Sequence, residues 1–143
     1  MNELPQNNTT RGVLSGITIT LFSALVSALF FAAFFTLAYV KKLPYGRPQA
    51  MILQMTSIVV VVAMTQYLSR KIQGDKLSLM QGFLGGWMAS LVLAIFISTF
   101  YTIFSSVTGA QLMPKGAFAI VLMLYSGIGI IFSLLLAIIL KKE

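Results

Sequence analysis

The sequence predicts an all-α membrane protein, an up-down bundle of four transmembrane helices. Of its 143 residues, 58% are hydrophobic and only 9% are charged, and the mean hydropathy is +0.93, whereas a soluble domain carries about 25% charged residues. Charge-free runs of 29, 22, 38 and 25 residues cover most of the chain: Gly12–Val40, Pro48–Ser69, Leu77–Pro114 and Gly116–Leu140. Because an apolar run of about 18 residues is long enough to span a bilayer, each run predicts one transmembrane helix.

The chain is predicted to open with a flexible tail at residues 1–11, and residues 12–143 then form a single transmembrane domain. The first helix covers about residues 12–40. The lysine pair that follows it suits the negative end of the helix dipole. Pro44 prevents the helix from continuing, because a proline ring clashes with the preceding turn.

Similar features predict the other three helices, at about residues 49–71, 79–106 and 115–140. Pro48 is suited to the first position of the second helix. Ser78 and Gln81 have the spacing of a capping box at the start of the third helix. The hairpin before that helix lacks the G-x-x-x-x-G-K-[ST] pattern, so it is not a phosphate-binding loop. Helices joined by such short connections alternate in direction, which predicts the up-down order.

Small residues recur at every fourth position along helices one and three. Residues four apart form a ridge on a helix, and small ridges let backbones approach closely within lipid. We therefore predict that the two ridges contact each other. An offset of 70 residues aligns them, which suggests a tandem, parallel repeat of a two-helix unit. The predicted packing positions are Gly12, Gly16, Ala24, Ala28, Gly82, Gly86, Ser90 and Ala94.

The inventory of reactive groups predicts that the chain is not an enzyme. It has no histidine and no cysteine, and its only carboxylates, Glu3, Asp75 and Glu143, lie in the tails or in the hairpin. Acid–base catalysis and metal binding need such groups within one site, so we predict no catalytic residue, no metal site and no cofactor. The net charge of +7 does not indicate nucleic-acid binding, because the basic residues lie at the ends of apolar runs.

The basic residues instead predict contact with anionic lipid headgroups. The residues assigned to this role are Lys41, Lys42, Arg70, Lys71, Lys141 and Lys142. Six basic residues lie on the side of the membrane that holds both termini and four lie on the other side. The positive-inside rule therefore predicts that both termini are cytoplasmic.

Uncharged polar residues allow two interpretations at the far end of helix three. Its hydroxyls either line a polar vestibule for a small solute or bond to their own helix backbone. The candidate vestibule residues are Ser98, Thr102, Ser105 and Ser106. Gln54, Gln66 and Gln81 lie near helix ends, where interfacial water satisfies a side-chain amide. Trp87 and Tyr101 are interpreted as part of an aromatic belt at the membrane surface.

The basic turn after Tyr67 and the Ser-Leu-Met-Gln-Gly-Phe-Leu-Gly-Gly entry to helix three, Ser78–Gly86, resemble a family of small bacterial four-helix membrane proteins. That family is defined only as a domain of unknown function. The closing run Gly127–Lys142 is also similar to the family's last helix, and the likeness covers most of the chain. The resemblance implies a location in the bacterial inner membrane and no established activity, so it assigns no functional residues.

These observations predict a non-enzymatic integral membrane protein that serves as an assembly, partner-binding or lipid-interacting subunit. The alternative is a small oligomeric channel or transporter for a small solute. The predicted partners are membrane lipids together with either further copies of the chain or a larger membrane protein.

Overall fold

Four long helices account for nearly all of the described structure. The computed structural model describes residues 6–41, 47–73, 78–109 and 117–140. Every helix is long and apolar enough to cross a membrane, so the predicted all-α, four-helix membrane fold is confirmed. The helices are α1 (Gln6–Val40), α2 (Arg47–Ile72), α3 (Leu79–Thr108) and α4 (Ala117–Leu140).

The first helix begins earlier than predicted. Since α1 starts at Gln6, residues 6–11 of the predicted tail are helical, and residues 1–5 lie outside the described ranges. At 1.5 Å per residue α1 is roughly 52 Å long, which exceeds a hydrocarbon core of about 30 Å. Its polar first turns can therefore stay helical beyond the hydrocarbon. The other helix ends lie within two residues of their predicted positions.

Both ends of α3 are capped. Ser78 has an extended backbone, and its hydroxyl oxygen accepts a hydrogen bond from the Gln81 N–H at 3.2 Å, as the capping-box spacing predicted. At the other end, Gly109 adopts a left-handed conformation (φ 72°), and its N–H donates to the Ser105 carbonyl at 2.9 Å. Glycine suits that position because it has no Cβ to strain the backbone.

Helices α2 and α3 form the centre of the bundle. Each of them contacts the other three helices, whereas α1 and α4, over their described residues, do not contact each other. Aromatic contacts advance together along α1 and α3, from Phe31 with Phe100 to Phe35 with Phe104, so these helices are parallel. Moving towards the C-terminus along α2 or along α4, the contacts with α3 move towards the N-terminus of α3. Both helices are therefore antiparallel to α3. The up-down order is confirmed.

This arrangement departs from the two-fold symmetry that a tandem two-helix repeat implies. Exchanging α1 with α3 and α2 with α4 would turn the contact between α2 and α3 into a contact between α4 and α1. The first contact exists, and the second does not among the described residues. Duplication of a two-helix unit in the sequence stays a prediction, but the packing does not repeat with it.

The outward faces of the helices are apolar. Phe22, Phe30 and Phe34 on α1 and Ile139 on α4 are each at least half exposed. Only 22% of the most apolar stretch of α4 is buried in the bundle, against 39% for α2 and for α3. A surface of this kind is matched to hydrocarbon rather than to water. The bundle therefore has the exterior of a multi-pass membrane protein.

Aromatic rings hold α1 against α3. The Phe35 ring lies edge-on to three rings of α3, with centroid distances of 5.7 Å to Phe100, 5.5 Å to Tyr101 and 5.2 Å to Phe104. Edge-to-face geometry is the favourable arrangement for such pairs. Tyr101 is only 6% exposed, so its assignment to a surface belt is wrong. We call this set the aromatic cluster: Phe31, Phe35, Tyr39, Phe100, Tyr101 and Phe104.

Candidate functional site

Four small residues bring the backbones of α3 and α4 together. Gly86 of α3 faces Ser133 of α4, and Gly129 of α4 faces Ser90 of α3. A Cβ atom placed on Gly86 would lie 3.0 Å from Ser133 Cβ, and one placed on Gly129 would lie 2.7 Å from Ser90 Cβ. Carbon atoms pack at about 3.5–4.0 Å. Neither glycine therefore has room for a methyl group, and we call these four residues the α3–α4 seam.

A side-chain hydrogen bond strengthens the contact between α3 and α4. The indole Nε1 of Trp87 donates to Ser126 Oγ at 3.0 Å. The carbonyl of Trp87 accepts a hydrogen bond from Ser90 Oγ at 2.7 Å. Trp87 was interpreted as part of an aromatic belt, and it is partly buried between the two helices instead. Its N–H finds a partner within the bundle rather than at the membrane surface.

Gln66 of α2 joins three helices beside the seam. Its side chain is only 1% exposed, and its Nε2 donates to the carbonyl oxygens of Gly82 on α3 at 3.0 Å and of Ser133 on α4 at 2.9 Å. Ser133 Oγ donates to the Phe83 carbonyl at 2.6 Å. Lipid tails offer no competing hydrogen-bond partners, so such bonds hold helices together. We call Gln66, Gly82, Phe83 and Ser133 the Gln66 junction.

The sequence did not predict this junction. Gln66 was expected to be solvated near a helix end, and that expectation is wrong because α3 covers the side chain. The cover is close because Gly82 and Gly86 have no side chains to hold the helices apart. The partners of Gln66 lie 16 and 67 residues away along the chain, so no local spacing reveals them. The available signal was an amide side chain inside the charge-free run Pro48–Ser69.

Most predicted packing residues with described surroundings are at least partly buried. Ala24, Gly82, Gly86, Ser90 and Ala94 are buried, and Ala28 is partly buried against the core. Gly16 is exposed, with no atom within 4 Å of a Cβ placed on it. The surroundings of Gly12 lie outside the described part of the structure.

The prediction that the small-residue ridges of α1 and α3 contact each other is wrong at Gly16 and Gly86. Gly86 faces Ser133 of α4 and Val62 of α2, so the α3 ridge is occupied by helices other than α1. The physical reason is that α4 carries the complementary residues Gly129 and Ser133 at the same four-residue spacing. Helix α1 instead packs on α3 through the bulky aromatic cluster, which leaves Gly16 facing outward.

Two of the four candidate vestibule hydroxyls bond to their own helix. Thr102 Oγ1 donates to the Ser98 carbonyl and Ser106 Oγ donates to the Thr102 carbonyl, both at 2.9 Å. Ser105 is partly exposed, and Ser98 is buried. For Thr102 and Ser106 the structure favours the backbone interpretation over a solute-lining role.

Three of the six predicted headgroup residues are described. Lys41 is exposed just after the end of α1, and Lys71 is exposed in the last turn of α2 with its Nζ 6.0 Å from the centre of the Tyr67 ring. Arg70, also in that last turn, is partly buried. Lys42, Lys141 and Lys142 lie outside the described residues. Contact of this set with anionic lipid stays a prediction.

Comparisons of the chain with protein-family models, curated proteins and solved structures found no match. The resemblance to a bacterial family of unknown function therefore stays a prediction.

The ionisable side chains of the described residues are lysines, arginines and tyrosines. The residues that the structure describes include no aspartate, glutamate, histidine or cysteine, and so no cluster of these residues that could hold a metal ion. The buried polar side chains are serine and threonine hydroxyls and the Gln66 amide, and Nε of the partly buried Arg70 is also covered. Hydroxyl and amide groups of this kind join helices within a membrane.

Replacing Gln66 with methionine should lower the free energy of unfolding by about 1–2 kcal/mol, because each interhelical hydrogen bond in a membrane contributes about 0.6 kcal/mol and at most about 1.7. Methionine has a similar volume, so the change removes two donated bonds without opening a large cavity. Denaturant titration in mixed micelles measures the difference.

The matched control is Gln54→Met, because Gln54 is only partly buried and donates one long hydrogen bond, of 3.4 Å, to Tyr101 Oη. Equal destabilisation by both substitutions would contradict a special role for the Gln66 junction.

Proposed function

We propose that this chain is a non-enzymatic, multi-pass membrane subunit that binds a larger partner protein within the bilayer. The observation that carries the proposal is the use of its polar groups. The Nε2 of Gln66, the seam serines and the bonded hydroxyls of α2 and α3 are engaged with other helices or with their own backbone. The apolar outer faces of α1 and α4, the two less buried helices, are then the surfaces left for interaction.

The proposal includes a bacterial inner membrane as the location, with both termini in the cytoplasm. Its support is the resemblance of Ser78–Gly86 and of the closing run to the bacterial family, together with the excess of basic residues on the side of the termini. Anionic lipids are the proposed second class of partner, through the basic residues at the helix ends.

Native extraction followed by mass spectrometry tests the proposed role. The chain, expressed at its natural level and extracted in a polymer that retains lipid, should emerge in a stoichiometric complex with a larger membrane protein. Recovery of only homo-oligomers or of the free monomer would contradict the proposal.

A channel or transporter is the second candidate, and a specific observation favours it. The side-chain oxygens Ser23 Oγ, Ser27 Oγ, Gln66 Oε1 and Ser98 Oγ are buried without a hydrogen-bond partner among the described residues. Such groups are found where water or a polar solute enters a bundle. A homo-oligomer that releases a neutral solute from proteoliposomes, with release reduced by Ser98→Ala, would support this candidate against the first.

Thiol labelling tests the proposed orientation, because the chain has no cysteine of its own. In intact cells, a membrane-impermeant maleimide should label a Tyr45→Cys variant and leave a Ser78→Cys variant unlabelled until the cells are opened. Labelling of Ser78→Cys in intact cells would reverse the orientation.

A further inference from the structure

We propose that the Gln66 junction binds one water molecule inside the bundle, held by Gln66 Oε1. Of the two polar atoms of this side chain, Nε2 is fully used by the Gly82 and Ser133 carbonyls, while Oε1 is buried with no hydrogen-bond partner among the described residues. A buried carbonyl oxygen without a donor costs free energy, and ordered water is the common remedy in proteins.

The orientation of the amide is fixed by its surroundings. Turning it over would place Oε1 against the carbonyl oxygens of Gly82 and Ser133, where acceptor meets acceptor, and would forfeit both donated bonds. Ser133 Oγ is not available to Oε1 as a donor, because it already donates to Phe83 at 2.6 Å. The Oε1 atom therefore needs a donor that is not a member of the junction.

Serine hydroxyls in the same bundle differ from Gln66 in this respect. Ser23, Ser27 and Ser98 also have buried oxygens without partners among the described residues. However, a rotation about χ1 can direct a serine hydroxyl to the carbonyl four residues earlier, as Ser57 does at 2.8 Å. The Gln66 side chain cannot rotate to give Oε1 a donor without losing the two bonds that Nε2 donates. Oε1 therefore needs a hydrogen-bond donor from a bound molecule.

The depth of Gln66 suits a water molecule. It lies six residues before Ile72, the last residue of α2, which is about 9 Å along the helix axis. The site is thus between one and two turns from the end of α2 that carries Arg70 and Lys71. A neutral water donates to Oε1 without placing a charge in the hydrocarbon.

One protein group competes with water as the donor. Arg70 lies four residues after Gln66, on the same face of α2, and its guanidinium carries five N–H donors. The experiment must separate these two donors.

Water-edited solid-state NMR of the full chain in lipid bilayers distinguishes a water donor from the Arg70 guanidinium. With labelled glutamine and valine, magnetisation should pass from water to the side chain of Gln66 and not to Val62, which lies one turn away and is fully buried. The transfer should persist in Arg70→Met. The Gln66 signal is assigned by its loss in Gln66→Met or, if that variant does not fold, by sequential correlations in the wild type.

Three results would overturn the proposal: no transfer to Gln66, equal transfer to Gln66 and Val62, or transfer that disappears in Arg70→Met. The measurement does not depend on the partner of the chain. A failed search for a partner and the absence of transfer from water to Gln66 are therefore separate outcomes.

Discussion

Gly129→Ala should lower the free energy of unfolding by about 2–3 kcal/mol, the upper part of the range for overpacked interiors. The added methyl group would lie 2.7 Å from Ser90 Cβ, and both atoms belong to rigid parts of helices that cannot rotate away. The two backbones would have to separate, which also weakens the neighbouring bonds of the Gln66 junction. Denaturant titration in micelles, or steric trapping in bilayers, measures the loss.

Gly127→Ala is the matched control, since it makes the same chemical change two residues earlier in α4. A Cβ placed on Gly127 meets no atom within 4 Å, so this variant should match the wild type or exceed it slightly. On α3, Gly85→Ala should be similarly mild, because its Cβ would lie 3.7 Å from Thr65 Cγ2. Equal effects at Gly127 and Gly129 would refute the close approach of α3 and α4.

A compensating change makes the test sharper. Adding Ser90→Gly to Gly129→Ala removes the side chain that the new methyl group meets, so the double variant should recover most of the lost stability. Coupling of this kind is the mark of residues in direct contact. Strictly additive losses would mean that the two positions do not touch.

Phe35→Ala should cost about 2–3 kcal/mol of unfolding free energy. Truncating a buried phenylalanine in a soluble protein costs about 3–5 kcal/mol, and part of that cost is absent here because lipid is as apolar as the core. What is lost is the packing of Phe35 against three rings of α3, in a site where it is 3% exposed. The same unfolding measurements apply.

Phe34→Ala is the control for this prediction. Phe34 is 52% exposed on the lipid-facing side of α1, so its truncation should change stability by less than about 0.5 kcal/mol, as for most surface substitutions. If the two variants lost the same stability, the aromatic cluster would not be what holds α1 to the bundle.

The sequence predicted the helices well because charge and apolar length are local properties. The lysines after Val40 and the cap at Ser78 mark helix ends without reference to any other helix. The start of α1 at Gln6 was not predicted, because composition alone does not distinguish polar residues that continue a helix from polar residues that precede one.

Partners of the predicted packing residues were harder to predict, because pairing is a property of the whole bundle. The ridge with Gly86 and Ser90 was correctly seen as a series of small residues, but its spacing fits another helix with small residues four apart equally well. The sequence could not show that Gly129 and Ser133 would take that place. Gln66 was assigned to the surface for a related reason: its burial depends on glycines of α3 and on a serine of α4.

Alternation of glycine with serine has a consequence for how α4 can dock. Were α4 to slide by four residues in one direction, Tyr125 would come to face Ser90, and a large ring would sit where only hydrogen fits now. Sliding by the same step in the other direction would set Ser133 against Ser90, a bulkier pairing than the present one of Gly129 with Ser90. The side chains that flank the seam therefore oppose a shift of α4 along α3 in either direction.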